Sequence, residues 1–188
     1  LEKFLYSENP RVKSTAIIAL WNFSAFRLKT LIQLTKMLES KNDEMKISGI
    51  YSLGEIKALQ EIPKLDKFLE HENGAIRCHA AVALAKMNKD YSVNYIMPFL
   101  LHSNKGLSKM ARKLLRSVPT SLKKIIKNTL IHEISYKIHN ILSEAQTSTL
   151  EELSPENLER LHYYYEIISE VKEVLRIEEE ILKRKELK

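Results

Sequence analysis

The chain has 188 residues, within the range of one ordinary domain, and 44% of them are hydrophobic, enough for a buried core. Four Gly and five Pro leave little room for a turn-rich β fold, so a composition dominated by Leu, Ile, Lys and Glu predicts an all-α protein. No apolar run reaches the roughly 18 residues that would span a membrane. The single cysteine, Cys78, excludes an internal disulfide framework and fits a reducing, cytoplasmic setting.

The net charge of +6 is unevenly spread. Residues 1–30 carry five basic and two acidic side chains, and residues 31–93 are balanced. Residues 94–118 carry five basic side chains and no acid, and residues 151–188 carry seven basic against eleven acidic. The chain therefore has a basic waist and an acidic tail. It opens at Leu1-Glu2-Lys3-Phe4-Leu5, without Met and part-way into a helical pattern, and is expected to be a segment of a longer protein.

An internal period runs through the first two thirds. Asn9, Asn42, Asn73 and Asn104 recur at intervals of 33, 31 and 31, each four residues after a leucine: Leu5, Leu38, Leu69 and Leu100. Three residues beyond each Asn stands Val12, Met45, Ile76 or Leu107, then a small residue (Ala16, Gly49, Ala80, Ala111) and a leucine (Leu20, Leu53, Leu84, Leu115). Phe23, Ile56, Met87 and Val118 close each copy. Offsets of three and four put these residues on one helical stripe, and the Asn ahead of each is a natural N-cap. Pro10 follows Asn9 at the first helical position. Each unit thus reads as a first helix ending in Leu, a short polar turn and a second helix starting at Asn. The small residue in mid-stripe marks a close approach of another helix.

The phrases Asn-Pro-Arg-Val-Lys-x-x-Ala-Ile-x-Ala-Leu at 9–20, Met-Lys-x-x-Gly-Ile-x-Ser-Leu-Gly at 45–54 and Ile-Arg-x-x-Ala-Ala-x-Ala-Leu-Ala at 76–85 resemble the HEAT-like repeat family in its short form. The resemblance covers residues 1–118 as four units, the first incomplete, and implies an α-solenoid. It also implies that Lys13, Lys46 and Arg77, at the family's basic position, tie neighbouring repeats together; Ser108 stands there in the fourth unit.

After Val118-Pro119-Thr120 the period is lost, and residues 119–188 are expected to form a long helical hairpin. Residues 121–144 read as one helix with a stripe of Leu122, Ile125, Ile126, Leu130, Ile134, Ile138, Ile141 and Leu142. The stretch from Gln146 to Pro155 is a polar linker, and Ser154-Pro155-Glu156 is a helix start. The last helix is expected to run to about Arg184, on the order of 45 Å and longer than its partner. Its seam is expected at Leu158, Leu161, Tyr165, Ile168, Lys172, Leu175, Glu179 and Leu182, where Lys172 and Glu179 spoil a strict coiled coil. Of Tyr163, Tyr164 and Tyr165, at least one must face away from that seam, and the outer tyrosines are expected to lie against the repeats.

Lys105, Lys109, Arg112, Lys113, Arg116, Lys123, Lys124 and Lys127 form the candidate binding surface, eight cations with no acid between Asp90 and Glu133. Clustered Lys and Arg attract acidic proteins or nucleic-acid phosphates. The equivalents in earlier copies are Ser14, Ile17, Ile18 and Trp21, then Ile47, Ile50, Tyr51 and Gly54, then Cys78, Ala81, Val82 and Ala85. A terminal repeat needs a polar outer face, so the same cations are also expected to pair with the acidic tail, at Glu159, Glu166, Glu170 or Glu173.

Enzymes built on HEAT-like repeats set a standard for catalysis. By resemblance, the di-iron deoxyhypusine hydroxylases carry His-Glu directly after the basic position, where this chain has Ser14-Thr15, Ile47-Ser48 and Cys78-His79. His71-Glu72 lies in a turn, and His132 and His139 lack a third ligand. The alkylpurine DNA glycosylases use an aromatic-lined cleft with a carboxylate, whereas Trp21 lies on the inter-repeat stripe and is expected to be core. Cys78 is expected to be an inert buried thiol. The expectation is therefore a non-catalytic scaffold with no cofactor or metal, mediating protein–protein interaction or regulation within a larger protein. The alternative is a nucleic-acid-binding repeat protein using residues 105–127.

Overall fold

The computed structural model describes residues 1–145 and 153–186, leaving aside the side chains of 174, 175 and 177–186. The protein is all-α: among the described residues there are nine α-helices, two short 3-10 turns and no strand. Most of the polar linker, 146–152, lies outside the described residues, as do the side chains of the expected seam positions Leu175, Glu179 and Leu182. No helix among the described residues is long and apolar enough to cross a membrane.

The chain forms two compact units, Leu1–Ile96 and Met97–Lys188. This division by contact differs from the one by periodicity at residue 118, because the cationic second helix of the fourth copy packs with the C-terminal hairpin.

The first unit begins with a 3-10 turn, Glu2–Tyr6, followed by α1 (Pro10–Leu20), α2 (Ser24–Glu39), α3 (Asp43–Ile56), a second 3-10 turn (Leu59–Glu61), α4 (Ile62–Phe68) and α5 (Gly74–Lys86). α6 (Ser92–Leu100) starts in it. Neighbours pair as α2 with α3 and α4 with α5, while α1, α3 and α5 pack on one another in succession. Each of these three starts immediately after its Asn. The Asn9 side-chain oxygen accepts the N–H groups of Arg11 and Val12 at 3.0 and 3.2 Å, that of Asn42 accepts Met45 at 3.1 Å, and that of Asn73 accepts Ala75 at 2.8 Å.

A further layer of capping supports each Asn. Its own N–H donates two residues back, to Ser7 Oγ (3.1 Å), Ser40 Oγ (3.1 Å) and His71 Nδ1 (3.0 Å). Lys57 and Asn88, at φ 49° and 57°, hold the left-handed conformation just after α3 and α5 and turn the chain out of each helix.

Leu5, Leu20, Leu53, Leu69 and Leu84 are buried, as are Ala16, Gly49 and Ala80. The stripe fails at the edge of the first copy, where Val12 is 38% exposed and Phe23 58% exposed. The turn Glu2–Tyr6 packs on α1 and leaves both ends of the stripe open. A Cβ on Gly49 would come within 3.0 Å of Met37 Cβ, and one on Gly54 within 3.0 Å of Ala83 Cα. Helix-to-helix polar contacts fix the stacking register: Ser14 Oγ meets Ser52 Oγ at 2.8 Å, and Asn73 Nδ2 donates to Asp43 Oδ2 at 2.7 Å. Lys86 pairs with Glu55 and sits 4.5 Å from the centre of the Tyr51 ring.

The second unit contains the end of α6, α7 (Lys105–Leu115), α8 (Thr120–Glu144) and α9 (Pro155–Glu186). α8 and α9 pack as a hairpin, and α9 also touches α7. On α8, Leu122, Ile126, Leu130, Ile134 and Ile141 are buried as the periodicity predicts, but Ile125 is 46% exposed.

The seam of α9 is displaced from its expected positions. Tyr165 is 72% exposed, Leu158 is 40% exposed and Lys172 is exposed, whereas Ile167 and Val171 are buried. The helix is turned by about one residue because it serves two neighbours. Ile167 and Val171 enter the apolar contact, and Glu166 and Glu170, one residue before each, reach α7.

Candidate anionic-partner surface

α7 owes its start to Asn104, whose side-chain oxygen accepts the N–H groups of Gly106 and Leu107 at 2.9 and 3.1 Å. The N–H of Asn104 donates to His102 Nδ1 at 3.0 Å, as that of Asn73 does to His71. Each residue turns the helix by about 100°, so offsets of three and four keep side chains on one face. Ser108, Ala111, Arg112 and Leu115 form the buried face. The exposed positions of α7 are Lys105, Gly106, Lys109 and Lys113, and exposed Arg116 caps its end. Apart from Gly106, every exposed position from 105 to 113 is therefore cationic.

The eight sequence-predicted cations fall into three groups. Lys105 and Arg112 are engaged by α9. Lys105 Nζ lies 3.1 Å from Glu159 Oε1, an exposed pair of little energetic weight. Arg112 is 7% exposed; its Nε donates to Glu170 Oε2 at 2.5 Å, its Nη2 stands 3.6 Å from Glu166 Oε1, and its Nη1 donates to Ser108 Oγ at 2.8 Å. Ser108 Oγ passes the chain on, donating to the Leu100 carbonyl at 2.7 Å.

Lys123 forms the second group. It is buried at the start of α8, and its Nζ donates to the Arg116 carbonyl at 3.0 Å. Burial brings the Lys123 ammonium down to about 8. The third group is open. Lys109, Lys113, Arg116 and Lys124 are exposed and Lys127 is half-buried, and none of the five has a carboxylate partner among the described residues. The pairing with the acidic tail thus takes in Arg112 and Lys105 and leaves Lys109, Lys113 and Arg116 as a ridge.

A second tether was missed by the periodicity. In the first unit Arg77 Nη1 donates to the carbonyls of His71 (2.6 Å) and Glu72 (2.8 Å), fastening the turn ahead of its own helix. In the second unit Ser108 stands where Arg77 would be, and Tyr163 of α9 donates to the His102 carbonyl at 2.9 Å. A residue from the hairpin thus takes over a bond that the third copy makes for itself. The sequence signal for the double cap, Ser/His-x-Asn at 7–9, 40–42, 71–73 and 102–104, is plain once sought; no local signal points to Tyr163 or to the burial of Lys123.

The other reactive side chains are packed or committed. Cys78 is fully buried, and burial pushes its thiol up to about 12, so it stays protonated. Burial, with the Lys86 charge second, holds His79 down to about 4. Trp21 is half-buried under the Arg27 guanidinium at 5.3 Å. Among the described residues no group of three or more His, Cys, Asp or Glu is placed to hold a metal ion. Comparison of the chain with protein-family models and with curated proteins finds no match.

Proposed function

We propose that this chain is a non-catalytic scaffold of HEAT-like repeats that mediates protein–protein interaction or regulation within a larger protein. The observation that supports it best is the open ridge Lys109, Lys113 and Arg116. These are three exposed cations on one stripe of a helix whose adjoining side, Ser108, Ala111, Arg112 and Leu115, is buried, and among the described residues no carboxylate pairs with them. Succession of α1, α3 and α5, each with its doubly supported Asn cap, supports the repeat reading. The ridge stands on a helix packed within its own unit, so little ordering entropy is lost when a partner binds.

Nucleic-acid binding is the second reading, because the same three cations offer charge to phosphates. Binding of a fluorescein-labelled oligonucleotide to the intact protein across a salt series tests the choice. The scaffold reading expects weak binding that K109E/K113E/R116E barely changes at physiological salt. Tight binding, steeply dependent on salt and abolished by the triple variant, would replace it with the nucleic-acid reading.

A further inference from the structure

The face of α7 that carries the ridge has counterparts in the earlier copies. Cys78, Ala81, Val82 and Ala85 on α5 match Lys109, Arg112, Lys113 and Arg116, and all four are buried. On α3 the matching residues include Ile50 and Gly54, both buried, with Gly54 directly against Ala83 and Lys86 of α5. This register is therefore a helix-receiving face in α3. In α7 it is rewritten in cations, and it still receives a helix: α9, whose Glu159, Glu166 and Glu170 lie along one side and meet Lys105 and Arg112.

Only part of the face is taken. Lys109, Lys113 and Arg116 follow one another at spacings of four and three, a stripe about 10 Å long, and remain exposed. A helix bearing carboxylates at the same spacing would set one against each cation, since residues three and four apart share a face. α9 supplies the example within the chain, with Glu166 and Glu170 four apart on the single Arg112 guanidinium. Stacking aromatics, which single-strand binders interleave with their cations, are absent from α7, whose sequence is KGLSKMARKLL.

On the protein-interaction reading above, on which this rests, we propose that the Lys109–Lys113–Arg116 ridge receives an acidic α-helix of a partner protein, with carboxylates at positions i, i+4 and i+7. The partner helix lies beside α9 on the remaining half of the face. Its specificity comes from spacing, because a peptide of equal charge with its carboxylates spread around the helix can oppose only one cation at a time.

The test uses the intact chain and three fluorescein-labelled probes in anisotropy titrations over a salt series. One is an alanine-based helical peptide with Glu at i, i+4 and i+7; the second has the same composition with its three Glu on different faces; the third is a single-stranded oligonucleotide. The aligned peptide is expected to bind about tenfold more tightly than its isomer, as a few exposed ion pairs together allow. K109A/K113A/R116A is expected to erase that preference while keeping the parent's helical circular dichroism and melting temperature. K36A, an exposed lysine of α2 outside the candidate surface, is expected to keep the preference. Equal binding of the two peptides, or binding of neither, overturns the helix proposal and leaves the scaffold reading to its own test. An oligonucleotide that binds more tightly than either peptide, and loses that binding in the triple variant, overturns both.

Discussion

At the helix starts, Ser7, Ser40, His71 and His102 each offer a lone pair to the N–H of the Asn two residues on. A hydroxyl oxygen and an unprotonated imidazole nitrogen are interchangeable there, whereas alanine offers no acceptor. His71→Ser is therefore expected to unfold within about 0.5 kcal/mol of the parent, and His71→Ala to lose about 1 kcal/mol, both read from urea denaturation. His79 carries a pH dependence of definite sign. Its folded-state value of about 4 lies below the ordinary 6.5, so as pH falls the unfolded chain takes up the proton first. The stability that neutral His79 contributes is complete above about pH 6.5 and is lost on the way down to about 4, on the order of 2–3 kcal/mol. His79→Gln is expected to flatten the urea midpoint across that window; a midpoint that still falls as steeply would assign the acid sensitivity to another group.

Among the helices, α3 and α5 approach closely at Gly54. The obstacle to a Cβ at Gly54 includes the Ala83 backbone at 3.0 Å, which cannot swing aside as a side chain can. Gly54→Ala is expected to cost about 1–3 kcal/mol by overpacking, net of a helix-propensity gain of about 1 kcal/mol. A thermal melt at or above the parent's would show that the two helices can slide apart freely. The same scale shows what was legible in the sequence. The Asn caps set where α1, α3, α5 and α7 begin, because a cap is a local interaction whose partners lie within three residues. The face of α9 was not legible, since spacings of three and four fit both the register of Leu158, Tyr165 and Lys172 and the one displaced by a residue. The choice fell to Arg112, more than fifty positions away, which takes Glu166 and Glu170. Val12 and Ile125 failed for a related reason: a stripe tells that a face is apolar, and its neighbours decide how much of that face is covered.

For the molecule as a whole, Arg112 links stability to surface charge. Glu166→Gln with Glu170→Gln removes two negative charges and takes the net charge from +6 to +8. It also leaves a 7% exposed guanidinium without its carboxylates. The double variant is expected to lose about 2 kcal/mol, less than for a fully buried pair because both carboxylates are half-exposed. It is also expected to elute from heparin at higher salt than the parent. Unchanged elution would mean that α9 still shields the guanidinium when neutral. All eight cations of the candidate surface were legible in the sequence, but their division into clamped, buried and open was not, because charge runs carry no information about which helix lies across them.

Copies this similar could pair out of order during folding, with α1 taking the place on α5 that belongs to α3. The contacts between α3 and α5 make that exchange unfavourable. In the exchanged pairing Ser14 would face Ala83 and lose the hydroxyl of Ser52, and Lys86 would find Asn22 in place of Glu55. Trp21 would also have to fit where Gly54 belongs, in a space in which one methyl carbon already comes within 3.0 Å of Ala83 Cα. A bulky ring at one copy and a glycine at the next thus act as lock and key along the chain, letting a near-repetitive sequence assemble in a single order.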